Sequence, residues 1–575
     1  MRLLLVFGRR YPGRSLVMLV CLLLAAVAEG VGLSSMLPLL GMVTESRGEP
    51  STLETTLRSA LAVLGLQPTV KVLLAVIMTG SIVKALLVLI AQKQVGYTVA
   101  HVATDLRLAL LEGVLAARWP YYVRQPVGML SNAFATEATR ASDCYLNGAL
   151  MVSTAIETLL YITIATMVSW QTALASAVVG TISVTTLGRL VRKTKRAGTK
   201  QTTLMRAVLG RLSDVLYAVK PLKAMGRETL VAPLLEGETQ RLNRVFQRQV
   251  LGKEAVRALQ EPFIVVSLAA GLYAATQLWE LQLDSVIVLA LLFARALFSL
   301  NKVQKFYQAM TTSESAFWAI RRTIAESQQE AETNTGTRAP DFQRSISLRG
   351  VDFAYGERPI LQDVSLSIVA GNITAVVGPS GAGKTTIADL VLGLMRPSSG
   401  EVFLDEVPLA AIDVAAWRHM VGYVPQEMLL LHESVRINVT LGDPALSQDD
   451  VVEALEAAGA WEFVQQLPQG MDTPLGERGA RLSGGQRQRI SIARALVHRP
   501  RLVILDEATA ALDPRSEEEI YATVRALRGR TTILAISHQP ALLAVADRVY
   551  RLEDGRVAEL DGMAGGAAEA QLQPA

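Results

Sequence analysis

The nine residues Gly378-Pro379-Ser380-Gly381-Ala382-Gly383-Lys384-Thr385-Thr386 decide how the second half of this 575-residue chain folds. They follow the short β-type run Ile373-Thr374-Ala375-Val376-Val377 and open a stretch of helical periodicity over 386–394. Strand, glycine-rich turn and helix, in that order, is the context in which G-x-x-x-x-G-K-T wraps a phosphate chain. Gly378, Gly381 and Gly383, with Ser380 in the same turn, let backbone N–H groups converge on anionic oxygens. The helix N-terminus at Thr385 and Thr386 adds its partial positive charge. Lys384 is expected to reach the β- and γ-phosphates of ATP, and the Thr385 hydroxyl to ligate Mg2+.

Such a site needs a carboxylate at the end of a neighbouring buried strand, and the apolar run 502–505 ends in Asp506-Glu507. Asp506 is then the expected partner of the magnesium, and Glu507 the general base that polarises the attacking water. The bland alternative is that both acids only terminate the strand. Between these two motifs stands Leu482-Ser483-Gly484-Gly485-Gln486. With it the chain from Ile346 to about Asp561 resembles the nucleotide-binding domain of ATP-binding cassette transporters, whose signature separates them from other P-loop ATPases.

The resemblance implies roles for further residues. Ser483, Gly485 and Gln486, at a helix N-terminus, would face the γ-phosphate bound to an opposite subunit. Tyr355, in Val351-Asp352-Phe353-Ala354-Tyr355, would stack on adenine. Gln426, in Val424-Pro425-Gln426, would sense Mg2+ and touch the membrane domain. Gly476-Glu477-Arg478-Gly479 would contact stalk ends, Asp513 would cross between subunits, and His538, after the run 532–536, would contact the γ-phosphate. Taken singly, a tyrosine or histidine packs more often than it catalyses; their occurrence together and in order is what counts. Two departures stand out: Ala510, where many members carry serine, and Leu429-Leu430-Leu431, where an aromatic is frequent. A signature that acts in trans implies a dimer, in the simplest case of two copies, with two competent composite sites.

Upstream, 328–345 is polar and poor in aliphatics and reads as a linker; 562–575, rich in small residues, reads as a disordered tail. Before the linker the sequence is written for lipid. About 20 apolar residues cross a 30 Å hydrocarbon layer, and 15–43, 72–91, 147–169, 172–190, 260–278 and 285–301 meet that test. The leading segment carries Arg2, Arg9, Arg10 and Arg14, and the segment between the fourth and fifth crossings carries eleven Lys or Arg over 189–227. The positive-inside bias therefore puts both termini in the cytoplasm of a bacterial-type inner (plasma) membrane. A cleaved signal peptide is imitated by Arg9, Arg10 and Ala26-Val27-Ala28, but the apolar run continues to Val43. The long basic connections read as helical stalks, as over 98–118 and 203–217, that reverse near 119–128 and 218–228.

The expected fold is thus multi-domain. An all-α six-helix transmembrane domain with cytoplasmic stalks spans 1–327, and an α/β P-loop domain with an α-helical subdomain spans 346–561. Composition agrees: half the residues are hydrophobic, 19% are charged and mean hydropathy is +0.31. Disorder is excluded by that apolar fraction, and a disulfide scaffold by having only Cys21 and Cys144. A net charge of +4 gives no case for nucleic acid.

For the cargo, Glu29, Lys84, Glu157 and Arg295 fall inside apolar crossings, where each charge costs roughly 2.5–3.5 kcal/mol by insertion scales. They either pair between helices or, through Glu29, Lys84 and Arg295, line a cavity for a polar, anionic group. The residues 51–66 have helical spacing and form an expected amphipathic helix on the outer leaflet. Segments 28–38 and 295–302 resemble those of lipid-linked oligosaccharide flippases and polysaccharide-export half-transporters. That resemblance implies an amphiphile with a large polar head. The rival expectation is a multidrug or peptide exporter, the absence of a preceding peptidase domain counting mildly against peptide processing.

Overall fold

The computed structural model describes residues 10–43, 52–63, 65, 67–168, 170–230, 232–278, 283–334, 336–476, 479–508, 514–537 and 539–560. Glu477, Arg478, Ala510, Asp513, His538 and the tail 562–575 lie outside the described residues. Two compact units emerge: Met1–Ala117 with Tyr121–Ala331, and Glu332–Ala575 with Arg118–Pro120.

The first unit is helical. Helix α1 (Pro12–Ser34) starts with proline at its first position, where a missing N–H is harmless. It stops at Ser35, whose N–H and hydroxyl both donate to Val31 O, at 3.1 and 2.8 Å. Pro38 cannot donate to the carbonyl four residues back and its ring crowds it, so the expected single crossing 15–43 breaks and restarts as α2 (Met36–Val43). Helix α3 (Thr52–Val63) occupies the amphipathic stretch, and its Leu61 is buried with Leu73 beside Leu39. Helix α4 (Val70–Leu115) is capped by the Thr69 hydroxyl, which accepts from Val72 N. Its 46 residues run about 70 Å, more than twice a hydrocarbon layer. Leu74, Met78, Ile82, Leu86 and Leu89 make one exposed apolar stripe along it, a face suited to lipid and costly in water.

Helices α5 (Trp119–Arg124) and α6 (Val127–Asn132) fill the first expected reversal, separated by Pro126 in extended conformation. A π-turn, Ala133–Glu137, leads into α7 (Ala138–Val168). Its buried Glu137 receives Arg206 through Nε at 2.6 Å and Nη2 at 2.8 Å, and Asn132 Nδ2 at 3.1 Å. Helices α8 (Trp170–Tyr217), α9 (Val219–Ala224), α10 (Ala232–Tyr273) and α11 (Leu283–Gln329) complete the unit. The core between α1, α4, α7 and α11 includes Leu22, Val95, Val102, Cys144, Phe317 and Ile320. Pro12–Leu40, Val70–Leu115, Gly128–Val168, Leu235–Gln277 and Val286–Gln329 are long and apolar enough to cross a membrane. The fourth expected crossing, 172–190, lies within α8, where most of its side chains fall outside the described residues.

The second unit is α/β. An antiparallel sheet, ordered β2-β1-β4-β5, is formed by β1 (Ser345–Tyr355), β2 (Arg358–Val369), β4 (Ser399–Leu404) and β5 (Val407–Pro408). The main sheet is ordered β10-β9-β3-β8-β7-β6. It contains β3 (Ile373–Val377), β6 (Val421–Val424), β7 (Leu502–Asp506), β8 (Thr532–Ile536), β9 (Arg548–Glu553) and β10 (Arg556–Glu559). Every pairing in it is parallel except β9 with β10. Strands β3, β7 and β8 are buried throughout, as continuous apolar runs in a covered parallel sheet must be. Register aligns Val376 with Ile536 and Asp506 with Ile536, so three strands end together at one carboxyl edge. Ligand sites of parallel sheets form at that edge.

Helix α12 (Lys384–Val391) follows β3, beginning at Lys384 and ending short of the expected 394. Its end is held by α13 (Val414–His419): Trp417 Nε1 donates to Val391 O at 2.9 Å, and Arg418 to Leu392 O and Gly393 O. Arg418 also forms a two-nitrogen pair with Glu332, which holds that carboxyl below its usual range. The helical part comprises α14 (Val435–Thr440), α15 (Gln448–Ala457), α16 (Trp461–Gln465) and α17 (Gly484–Leu496). Helices α18 (Pro514–Leu527) and α19 (Pro540–Leu543) flank β8.

Candidate nucleotide site and membrane ion cluster

The phosphate loop leaves β3 through Gly378, at φ +154°, where an added Cβ would lie 2.1 Å from Leu552 O. It enters α12 through Gly383, at φ +106°, where a Cβ would lie 2.8 Å from Ile360 Cγ2. Only glycine satisfies both the backbone and the space at these ends. Between them Ser380 and Gly381 form the turn, with Gly381 at φ +81°.

Lys384 is buried, and its ammonium donates to Gly378 O at 3.0 Å and Pro379 O at 3.1 Å. It also stands 3.4 Å from Glu507 Oε1. The cation thus sits inside the loop, beside the Glu507 carboxylate. Thr385 donates from Oγ1 to Asp506 Oδ1 at 3.3 Å, and the neighbouring Thr386 is buried. Glu507 adopts a left-handed backbone, φ +47°, that costs a non-glycine residue about 1–2 kcal/mol. Its N–H still pairs with Ile536 O at 2.8 Å, so the turn comes one residue after the strand and sets the side chain beside the loop. Gln426 Nε2 donates to Glu507 Oε2 at 2.6 Å.

The Thr385 hydroxyl and the Asp506 carboxylate are hard oxygens of the kind Mg2+ takes alongside phosphate and water, and the expected third ligand, Gln426, is linked to them through Glu507. Burial, and secondarily the charge of Glu507, pushes the Asp506 carboxyl up, while the bonds from Thr385 and Tyr423 pull it down. Two partners here were not singled out from the sequence. Tyr423 donates to Asp506 Oδ2 at 3.3 Å. Asp389, one helical turn beyond Thr385, is buried and pushed up to about 6 by desolvation and by Asp506. A carboxylate at i+4 from Thr385 was the available signal.

Tyr355 ends β1 with its ring 43% exposed and edge-on to Phe353, an aromatic surface free to stack. At the signature, Ser483 caps α17. Its Oγ accepts from Gln486 N at 3.2 Å while Gln486 Oε1 accepts from Ser483 N at 3.0 Å. Gln486 therefore serves its own helix end, and Gly485 is buried behind it. Arg494, on the same helix, donates to Leu429 O and to Asn438 O and Oδ1, and Asn438 in turn bonds Leu431. The three-leucine loop after Gln426 is fixed through these bonds.

In the first unit, the charges expected inside the crossings come together. Glu29 Oε2 lies 2.6 Å from Lys84 Nζ, and Glu29 Oε1 lies 3.3 Å from Arg295 Nη1. Tyr161 donates to Glu29 Oε1 at 2.8 Å. One carboxylate thus links α1, α4, α7 and α11, and the cluster is interhelical pairing first.

Residues 361–510 match the family model described as ABC transporter, and 15–300 the one described as ABC transporter transmembrane region. An ATP-dependent lipid A-core flippase from Thiobacillus denitrificans is 30% identical over 483 residues, 80% of each chain. A cyclolysin secretion/processing ATP-binding protein, CyaB, from Bordetella pertussis is 44% identical over 242 residues, 41% of this chain and 34% of that one. The structure of a bacterial Atm1-family ABC exporter with ATP bound superposes with TM-score 0.77 at 22% identity, covering 96% of both chains.

Proposed function

The chain belongs to the ABC transporter family, and from that premise we propose that two copies assemble into a flippase for an amphiphile with a large polar head. A lipid-linked oligosaccharide is the form of cargo that best fits. That it is an ATP hydrolase coupled to export or flipping, in a multi-pass membrane protein, follows from the family itself. The finer reading concerns what each residue does, how many chains act and what is carried.

ATP binds with adenine on the Tyr355 ring and its phosphates on the backbone N–H groups of 380–386. Lys384, whose ammonium lies inside the loop, reaches the β- and γ-phosphate oxygens. Thr385, Asp506 and Gln426 would hold magnesium, which would neutralise charge on those oxygens. Glu507 takes the proton of the attacking water, and His538 contacts the γ-phosphate. From the second copy, Ser483 and Gly485 offer a helix N-terminus to the same phosphate, and Asp513 crosses the interface. Closure on ATP is passed to the membrane through the helical reversals near 119–128 and 218–228. Both termini lie on the cytoplasmic side of a bacterial-type inner membrane.

The observation that carries the cargo reading is the Lys84–Glu29–Arg295 cluster inside apolar helices. Charges at that depth are costly, and they suit a polar head that passes while its lipid tail stays in the bilayer. The flippase name of a relative matched over four fifths of the chain points the same way. The match to the cyclolysin secretion protein covers 41% of the chain, so it bears less on cargo. Proteoliposomes carrying a fluorescent lipid-linked oligosaccharide decide it. With ATP added outside, an ATP-dependent gain of label protected from a membrane-impermeant quencher supports flipping; dye or peptide movement with no lipid movement supports the multidrug or peptide reading instead.

A further inference from the structure

We infer that Glu29 is a specificity-determining residue, a resident anion that holds Arg295 beside Lys84 until a transported amphiphile takes Arg295 from it with an anionic group of its own. This rests on the head-group reading above and adds to it both the charge the head must bring and the residue that enforces it.

The cluster is asymmetric. Glu29 is only 8% exposed, while the side chains of Lys84 and Arg295 are 25% and 50% exposed on the isolated chain. A ligand approaching from outside therefore meets the cations before it meets the anion. Glu29 Oε1 already accepts from Tyr161 at 2.8 Å, and Arg295 reaches the same oxygen through one nitrogen at 3.3 Å. Guanidinium carries five donors in a planar fork suited to two oxygens of a carboxylate or phosphate. Arg295 reaches Glu29 by one long contact and also engages the Tyr161 hydroxyl. It is still the weaker of the two ionic links to Glu29 and has part of its fork to offer.

The surroundings leave few other routes. On one side of the cluster lies a buried apolar layer of Leu37, Ile164, Ala165, Val288 and Leu292. On the other, Thr158 donates to Ser299 Oγ at 2.9 Å and Ser299 to Thr154 O at 3.0 Å, so those hydroxyls already have partners. Glu157, one turn before Tyr161, makes no ion pair among the described residues and does not share the cations. When an anionic group takes Arg295, Glu29 keeps Lys84 and Tyr161, and no bare charge is left at membrane depth. A neutral head has nothing to exchange, and a zwitterionic head brings its own ammonium to pair with its phosphate, so neither offers the net negative group that competes with Glu29. The recognised chemistry is thus an exposed phosphate or carboxylate close to the junction of head and tail.

The test uses the full-length dimer in phosphatidylcholine nanodiscs, with ATPase stimulation read against added phosphatidic acid and, as control, phosphatidylethanolamine. Glu29→Gln removes the competitor and is expected to lower the half-stimulating concentration of phosphatidic acid at least tenfold, leaving the control unmoved. Glu29→Asp, one methylene shorter, is expected to shift it in the same direction by less, and serves if the glutamine variant does not fold. An unchanged or raised half-stimulating concentration in the folded variants overturns the inference. Wild-type stimulation that is indifferent to Arg295→Gln refutes the head-group reading itself; stimulation that needs Arg295 but ignores Glu29 refutes only the inference.

Discussion

Ser483 has two jobs that substitution can separate. In the isolated chain its hydroxyl caps α17, accepting from Gln486 N at 3.2 Å; across a dimer it is proposed to face a γ-phosphate. Ser483→Ala removes both. Losing the cap costs about 1 kcal/mol, which for a domain of this size lowers Tm by roughly 2–4 °C. Ser483→Asp keeps the cap, because aspartate is as good an N-cap as serine, but it places a negative charge where the phosphate must come. At about 4 Å and an effective dielectric near 20, each unit of like charge costs about 4 kcal/mol, or roughly three decades of rate. The two assays are thermal unfolding of the full-length protein without nucleotide, and steady-state ATPase in nanodiscs. The aspartate variant should unfold within a degree or so of wild type and be nearly inactive, whereas alanine should lose stability and retain more activity. An aspartate variant that keeps a tenth of the ATPase refutes the placement of phosphate at this helix end.

Three other outcomes follow from the same geometry. Glu507→Gln should cut ATPase by about 10²–10⁴-fold while ATP binding survives and the dimer stays closed; undiminished turnover contradicts the general-base role. Asp389 has a pKa near 6 in the fold against 3.8 in the unfolded chain. A carboxylate raised in this way destabilises the fold above that pKa and ceases to do so once protonated in both states. Asp389→Asn should therefore stabilise the Mg2+-free and nucleotide-free protein at pH 7.5 by at most about 3 kcal/mol, with the gain fading between pH 6 and pH 4; denaturant titrations across that range check it. Arg206→Gln leaves the buried Glu137 without its two-nitrogen partner and should cost about 3–5 kcal/mol. Combining it with Glu137→Gln should recover part of the loss, read as Tm in nanodiscs.

The nucleotide half was legible because its chemistry is local. Strand, loop and helix around Lys384 are contiguous, and the acids at Asp506-Glu507 directly follow an apolar run, so order alone placed them. Strands 373–377 and 532–536 coincide with β3 and β8. What was not legible depends on distant partners. Burial of Asp389 and the Tyr423 bond to Asp506 appear only when β6, β7 and α12 pack together. The break at Ser35 was hidden inside an unbroken apolar run, since hydropathy does not register what Pro38 does to a backbone bond. The π-turn at 133–137 has no compositional mark, and it is held by Arg107 donating to Phe134 O from a helix 27 residues away. Charges at 29, 84 and 295 could be seen one by one, but their convergence on a single carboxylate is a product of tertiary packing.

Everything proposed about turnover requires that a P-loop on one chain be completed by Ser483 of another. The most direct test is to reconstitute the wild-type protein into nanodiscs sorted to hold either one chain or two, and to measure ATP hydrolysis per chain with Mg2+ present. A site built across two copies predicts hydrolysis confined to two-chain discs. Equal rates per chain in one-chain discs would contradict it.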